Sequence, residues 1–344
     1  MNKLVQIIPK KLLQVEPHWQ KELATGFNDP IALLEHLQID SSNLEKDAQA
    51  RRLFPMRVPR AFVAKMEMGN IDDPLLQQVL PNRQEFIAES GFSTDPLEEH
   101  DTAGKGLLHK YKSRVLLIVR GGCAVNCRYC FRRHFPYQDN AVSKREWQET
   151  LNYIDTHPEV EEVIFSGGDP LMAKDDFLAW LADAICQRPQ IKRLRIHTRL
   201  PVVLPNRIDS EFLAWFGALP IQKVMILHIN HANEMDEALK QKCQRLKDSG
   251  VVLFNQAVLL AGINDTADAQ IALNEAVFEA GIQPYYLYML DKVQGAHHFL
   301  VSDAKARNII KQVIERQPGF LVPKLVREIG GQAGKTPVDL LMHP

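Results

Sequence analysis

"RGGCAVNCRYCFRRHF", residues 120–135, places Cys123, Cys127 and Cys130 in a C-x3-C-x2-C spacing. Structural zinc usually closes its shell with four protein ligands, commonly as two pairs. Three thiolates on one loop can instead hold a cubane iron–sulfur cluster and leave one iron open to a small molecule. A zinc reading needs a fourth ligand, for which His134 stands near in sequence. The third reading is chance clustering of buried cysteines. Tyr129, just before the third cysteine, offers a flat ring that can lie against a bound nucleoside. The chain has five cysteines, an odd number, and Cys186 and Cys243 stand apart in helical segments as packing residues. That usage argues against a disulfide scaffold and for a metal or redox site in a reducing compartment.

The loop sits in a regular rhythm. Short apolar runs, "RVLLIV" (114–119), "VEEVIFS" (160–166), "IKRLRIHT" (191–198), "KVMILHIN" (223–230), "VVLFNQAVLL" (251–260) and "PYYLYML" (284–290), alternate with amphipathic stretches such as "SKREWQETLNYIDTHP" and "KDDFLAWLADAICQR". Alternating strand and helix predicts right-handed βαβ units around a parallel sheet, as an open doubly wound sheet or an incomplete barrel. Such folds collect their sites at the carboxyl ends of the strands. Cys123 follows the first predicted strand and Ser166-Gly167-Gly168-Asp169 the second. His197, Thr198 and Arg199 end the third, His228 and Asn230 the fourth, and Asp291 the sixth. Residues 1–108 read as a mainly helical region closed by a turn-rich linker, "GFSTDPLEEHDTAGKG". Within it Asp29 and Pro30 start a helix in "DPIALLEHLQI". Residues 109–300 read as the α/β core, and 301–344 as a helix and tail.

The chain has 344 residues, 45% apolar and 24% charged, with a net charge of −1. That balance argues against bulk binding to nucleic acid, which needs a basic surface. "MNKLVQIIPKKLLQ" lacks the apolar run and cleavage site of a signal peptide, and no run reaches transmembrane length. A cytoplasmic protein is expected.

Two further motifs carry chemistry. In "FSGGDPL" (165–171) adjacent glycines after a strand let a ligand approach the backbone, and Asp169 can accept from an ammonium group. The alternative is an ordinary strand-to-helix turn. In "GGQAGKTPV" (330–338) a lysine in a small-residue loop, Lys335, reads either as a solvated tail or as a Schiff-base lysine for pyridoxal phosphate.

The cysteine loop resembles that of the radical S-adenosylmethionine superfamily. "CRYCFRR", "SGGDPL", "TRLPVVLP", "NQAVLLAGIND", "PYYLYMLD" and "GKTPV" occur in the order seen in the lysine 2,3-aminomutase family, and the resemblance spans about residues 105–338. It implies a partial parallel (β/α)6 barrel behind an N-terminal helical region. It implies a [4Fe-4S] cluster on Cys123, Cys127 and Cys130, with S-adenosylmethionine on the open iron. Tyr129, Ser166, Gly167, Gly168, Asp169 and Gln256 would contact that cofactor. Lys335 would carry pyridoxal phosphate, with Tyr111, Arg114 and Arg199 on its phosphate or ring. Arg132 would clamp a substrate carboxylate, and Asp291 and Glu328 would meet a distal ammonium. The implied reaction is a 1,2-amino shift from L-lysine to β-lysine, with an external electron donor such as flavodoxin. "GFSTDPLEEH", "CFRRHFPY", "DKVQGAHHF" and "LVPKLVREIGG" are closest to the branch that makes (R)-β-lysine for elongation factor P. Three positions depart from the family's pattern: Lys110 stands where relatives often have arginine, Glu328 replaces an aspartate beside Arg327, and Thr266 stands where a zinc-ligand cysteine could be expected. The sequence also stops nine residues after Lys335, without the zinc-binding extension of longer relatives, so no structural zinc and a different or weaker oligomer are expected. A glutamate aminomutase is the alternative enzyme, disfavoured by Asp291. The alternative that is not an enzyme is a zinc-bound interaction module.

Overall fold

One sheet runs in strict sequence order through nine strands among the described residues. The computed structural model describes residues 18–42, 45–100, 104–140, 142–332 and 334–342. The segment on which the signal-peptide reading rests, part of the expected linker (101–103) and Ala333 of the lysine loop lie outside them. Strands β2 (Arg114–Arg120), β3 (Glu162–Gly167), β4 (Arg193–Thr198), β5 (Gln222–Leu227), β6 (Val251–Val258) and β7 (Gln283–Tyr288) are the six read from the sequence. All pair in parallel with the next. A seventh parallel strand, β8 (Lys324–Arg327), lies in the stretch expected to be tail, and β9 (Thr336–Pro337) pairs antiparallel to it. At the other edge β1 (Leu107–Tyr111) forms an antiparallel hairpin with β2. The connecting helices follow the predicted amphipathic stretches, including Lys144–Asp155, Asp175–Cys186, Glu237–Asp248 and Ala267–Glu279. Thr266 caps the last of these, accepting from the Ala269 N–H at 3.1 Å.

The sheet curls until its edges meet. Tyr111 Oη on β1 donates to Glu328 Oε1, just beyond β8, at 3.2 Å. The strands themselves do not pair across that gap, so the barrel is partial.

Alternation along each strand sorts the two faces. Outward residues are apolar and fully buried under the helices: Val115, Leu117, Val163, Phe165, Leu194, Ile196, Met225, Leu227 and Leu287. Inward residues are largely polar, among them Arg114, Glu162, Ser166, Arg195, His197, Gln256 and Tyr286. They line a cavity of about 460 Å³ instead of filling a core.

Apolar packing crosses residue 108. Trp19, Leu33, Phe62 and Leu75 belong to the same apolar core as the strands. The region is also less helical than expected. Asp29 does cap Pro30–His36, through the Ile31 and Ala32 N–H groups, but proline-interrupted pieces such as Arg60–Val63 span a single turn. This region clasps the cysteine loop. Arg128, fully buried, meets Glu85 at 2.5 Å and donates to the Phe54 carbonyl at 2.8 Å. Arg133 meets the same carboxylate at 2.6 Å. Arg128 N–H bonds the Gln78 carbonyl at 2.9 Å. Of the isolated cysteines, Cys243 is buried as expected, whereas Cys186 is only half-buried. Among the described residues no helix is long and apolar enough to cross a membrane.

Removing one partner of a buried ion pair strands the other charge. Glu85→Ala is therefore expected to cost about 3–5 kcal/mol, measured by urea unfolding of the full chain, whereas Glu161→Ala, at an exposed pair, should leave the unfolding midpoint nearly unchanged.

Candidate functional site

The cavity inside the curled sheet collects every site residue expected from the sequence. The cysteines, Tyr129, Arg132, the Ser166–Asp169 turn, Arg199, Gln256, Asp291, Glu328, Tyr111, Arg114 and Lys335 all line it. Two poles can be distinguished by their neighbours.

At the cysteine pole the three thiols share one wall. Burial, then the Cys130 charge, raises Cys123 well above the ordinary thiol range. Burial and Cys127 push Cys130 up to about 11. Three thiolates so close favour a polycation that neutralises them together. Among the described residues no three His, Cys, Asp or Glu side chains converge as ligands of a single metal ion. His134, the zinc reading's fourth ligand, instead meets the Gln294 carbonyl at 3.2 Å.

The "SGGDP" turn is bonded to this loop. Gly168 N–H bonds the Arg120 carbonyl at 2.7 Å, and Asp169 N–H the Gly122 carbonyl at 3.0 Å. A Cβ on Gly168 would lie 2.6 Å from the Gly121 oxygen and 2.7 Å from the Gly122 oxygen. The glycine pair thus has a nearer cause than ligand approach: two backbones in contact. Asp169 is likewise a brace. Its carboxylate accepts from Leu171 N–H (3.0 Å), Thr198 Oγ1 (2.8 Å), Arg199 N–H (2.8 Å) and Leu200 N–H (2.9 Å), tying β3 to β4. Gln256 reaches the cavity at an irregularity in the β6–β7 register between Asn255 and Gln256.

Arg132 lies beside this pole. Its Nε donates to Glu99 at 2.6 Å, and its Nη1 donates to Ser166 Oγ at 3.1 Å. Burial would raise the Glu99 carboxyl, but Arg132 and Lys110 hold it down at about 2. Glu99 was not foreseen. It belongs to the segment expected to be a linker, which instead packs on the site and pairs Ser93 with Val293. Lys110 donates to Glu99 at 3.0 Å and to the Leu97 carbonyl at 3.1 Å.

Arg199 is placed differently from expectation. It was assigned to the phosphate or ring near Lys335. Its guanidinium instead donates to Cys127 Sγ at 2.8 Å and to the Tyr129 hydroxyl, held from behind by Gln78 (2.7 Å) and Glu234 (3.0 Å). A buried cation goes to its carboxylate, and that carboxylate follows β5 on the cysteine side. Asn230 Nδ2 also donates to the Tyr129 hydroxyl, at 2.6 Å.

The opposite pole surrounds Lys335, whose ammonium is paired with Glu328. It lies 5.7 Å from the Tyr111 ring centre and 5.5 Å from that of Tyr288. The Arg114 guanidinium also lies over this ring, 4.0 Å from the Tyr111 ring centre, and bonds no carboxylate among the described residues. Asp291 faces the cavity deep in the molecule. Burial, then the Glu328 charge, pushes it up to about 7 against the pull of Lys335. Between the poles His197 and His228 stand edge to face, 5.8 Å apart, each with a buried, unpartnered Nε2.

Residues 117–267 match the Radical SAM superfamily. The L-lysine 2,3-aminomutase of Escherichia coli is 54% identical over 94% of this chain and 95% of its own. That of Haemophilus influenzae is 50% identical over 96% of this chain and 99% of its own. The chain belongs to the L-lysine 2,3-aminomutase family. Among solved structures, a radical SAM methyltransferase from Sphaerobacter thermophilus aligns with TM-score 0.48 and 14% identity, over 68% of this chain and 72% of that one. Family membership implies an iron–sulfur cluster and S-adenosylmethionine, and the residues present fit them. Three half-buried thiols line one wall of the cavity, and a cation stands on one of the sulfurs.

The backbone contact at the glycine pair is the part of this site least tolerant of change. Gly168→Ala is expected to cost about 1–3 kcal/mol in thermal unfolding and to lower the iron retained per chain after reconstitution, because the cysteine loop must move to admit the methyl group.

Proposed function

We propose that this aminomutase converts L-lysine to β-lysine using a [4Fe-4S] cluster, S-adenosylmethionine and pyridoxal phosphate. The observation that carries the reading is the pairing of poles in one cavity: three cysteines at one, Lys335 with two carboxylates at the other, and Arg132 on the wall. When bound, the cofactors supply one-electron hydrogen abstraction and a conjugated ring that carries the migrating nitrogen.

The chain's own residues bind, orient and exclude. Lys335 offers the amine for the cofactor's aldehyde, and Tyr111 and Tyr288 present apolar ring faces beside it. Arg114, free of carboxylate partners among the described residues, suits the phosphate dianion. Arg132 spends Nε on Glu99 and Nη1 on Ser166, which fixes its plane and leaves Nη2 for a substrate carboxylate. Asp291 and Glu328 form the anionic end that a distal ammonium requires. A glutamate substrate would bring a carboxylate there and be repelled. His197 and His228, whose protonation burial suppresses, keep the middle of the cavity polar without adding charge. We assign the product as (R)-β-lysine for modification of elongation factor P, supported by "GFSTDPLEEH", "CFRRHFPY" and "LVPKLVREIGG".

Anaerobic reconstitution with iron, sulfide and pyridoxal phosphate, then chiral analysis of products from lysine and glutamate, tests the reading. β-Lysine is expected from lysine alone. S-adenosylmethionine cleavage with no β-amino acid product would remove the substrate assignment. Borohydride should fix a pyridoxyl group on the Lys335 peptide.

The acidity of Asp291 gives a second test. The group is ionised above about pH 7, so its attraction for an ammonium grows as pH rises through that value. KM for lysine is expected to fall between pH 6 and 8. Asp291→Asn should raise KM about 10- to 100-fold, the loss of one charged hydrogen bond of about 1.5–3 kcal/mol, and should flatten that part of the profile.

A further inference from the structure

We propose that Arg199 sets the reduction potential of the cluster held by Cys123, Cys127 and Cys130, by placing a hydrogen bond and a positive charge on the Cys127 sulfur. The proposal rests on the cluster assignment above. Arg199 Nη1 lies 2.8 Å from Cys127 Sγ. Among the described residues Cys127 is the one cysteine of the three whose sulfur receives a side-chain N–H.

The guanidinium is fixed from several directions. Nη2 donates to Gln78 Oε1 at 2.7 Å and to Glu234 Oε2 at 3.0 Å. Glu234 is itself held, its Oε1 accepting from the Asn230 N–H at 2.9 Å, the His231 N–H at 3.1 Å and Gln78 Nε2 at 3.2 Å. The Tyr129 and Phe62 rings lie 5.7 and 5.5 Å from the guanidinium carbon. Satisfying a buried arginine needs only the carboxylate and neighbouring acceptors. This one leaves Nε unpartnered and spends an N–H on a sulfur. Parts of the chain far apart in sequence, Gln78 and Glu234, thus converge to aim one cation at one cluster ligand.

The electrostatic consequence has a definite sign. Reduction adds an electron to a cluster whose thiolates already make it anionic. A nearby cation and an N–H···S bond both favour the more negative, reduced form, and burial keeps water from screening them. Arg199 therefore raises the potential and brings the cluster within reach of a one-electron donor. Glu234, one residue further out, tempers the effect with the opposite charge.

The test is an EPR-monitored redox titration of the reconstituted full chain without S-adenosylmethionine, with iron content measured in each sample. At the wild-type midpoint, Arg199→Gln is expected to lower the reduced-to-oxidised ratio about tenfold, a shift of about 59 mV to more negative potential for one electron. Arg199→Lys should shift less in the same direction. Glu234→Gln, which keeps the arginine on the sulfur but removes a buried negative charge, should shift positive. Opposite signs from two residues in one ion pair are not produced by general loosening. Unchanged midpoints in cluster-loaded variants would overturn the proposal, as would shifts of one sign in both. If Arg199→Gln retains too little iron to titrate, Glu234→Gln decides alone: a positive shift supports the proposal, and no shift or a negative one defeats it. Failure of the wild-type chain to bind iron would instead remove the cluster assignment, and this proposal with it.

Discussion

A buried guanidinium must meet a carboxylate, and the architecture of this site follows from where those carboxylates are. Arg128 and Arg133 share Glu85, Arg132 takes Glu99, and Arg199 takes Glu234. Of these carboxylates none lies on a strand of the barrel. Glu85 and Glu99 come from the N-terminal third, and Glu234 from the turn after β5. The pairs fix the cysteine loop and the walls around it from outside the sheet. Isolated, such charges would cost several kcal/mol each. Paired and hydrogen-bonded, they define one arrangement of the loop, because moving any of these arginines takes its buried charge off a carboxylate.

The same constraint explains how a sheet can be hollow and polar inside. A barrel closed on apolar side chains fills itself. Here the outward face supplies the apolar core with the helices, and the inward face carries Arg114, Glu162, Arg195, His197 and Gln256. Glu162 sits between Arg193 and Arg195, so even the end of the cavity nearest the strand starts is charge-matched. Because the sheet does not close, its edges communicate through side chains. Tyr111 from the first strand reaches Glu328 beyond the eighth, which brings Arg114 and Lys335 to the same tyrosine ring.

Much of this was legible in the sequence because it is local. The cysteines, the glycine turn and Asp291 each follow a predicted strand, and parallel topology places strand ends on one rim, so they converge without knowledge of the packing. Lys335 lies beyond the predicted strands and was tied to the site by the family resemblance alone. The hairpin of β1 was legible too: "LLHKY" and "RVLLIVR" are separated by two residues, a hairpin spacing that the six-strand reading passed over. What was not legible is non-local. Glu99 looks like any acid in a turn, and its role exists only because its partner stands 33 residues away in the folded cavity. Arg199 follows a strand, as predicted, but its pole was decided by Gln78 and Glu234, whose side chains carry no motif. β8 has four residues and no following helix to frame it.

The lysine pole shows how charge matching and chemistry meet. Two carboxylates, Asp291 and Glu328, face the Lys335 ammonium, with Lys110 4.0 Å from Glu328, and burial together with the Glu328 charge raises the Asp291 pKa. In the proposed reaction Lys335 gives up its independent charge when it engages the cofactor's aldehyde. Glu328 then keeps Lys110 at 4.0 Å and the Tyr111 hydroxyl, one cation facing two carboxylates. A ligand that brings its own ammonium to that spot restores the balance. A neutral side chain would leave the deficit, and an acidic one would deepen it. In the proposed reaction the two carboxylates at this end, Asp291 and Glu328, favour a ligand with a distal ammonium. Glu328 serves both Lys335 and Tyr111, while Arg327, its neighbour in sequence, is kept apart on Asp303 at 2.7 Å.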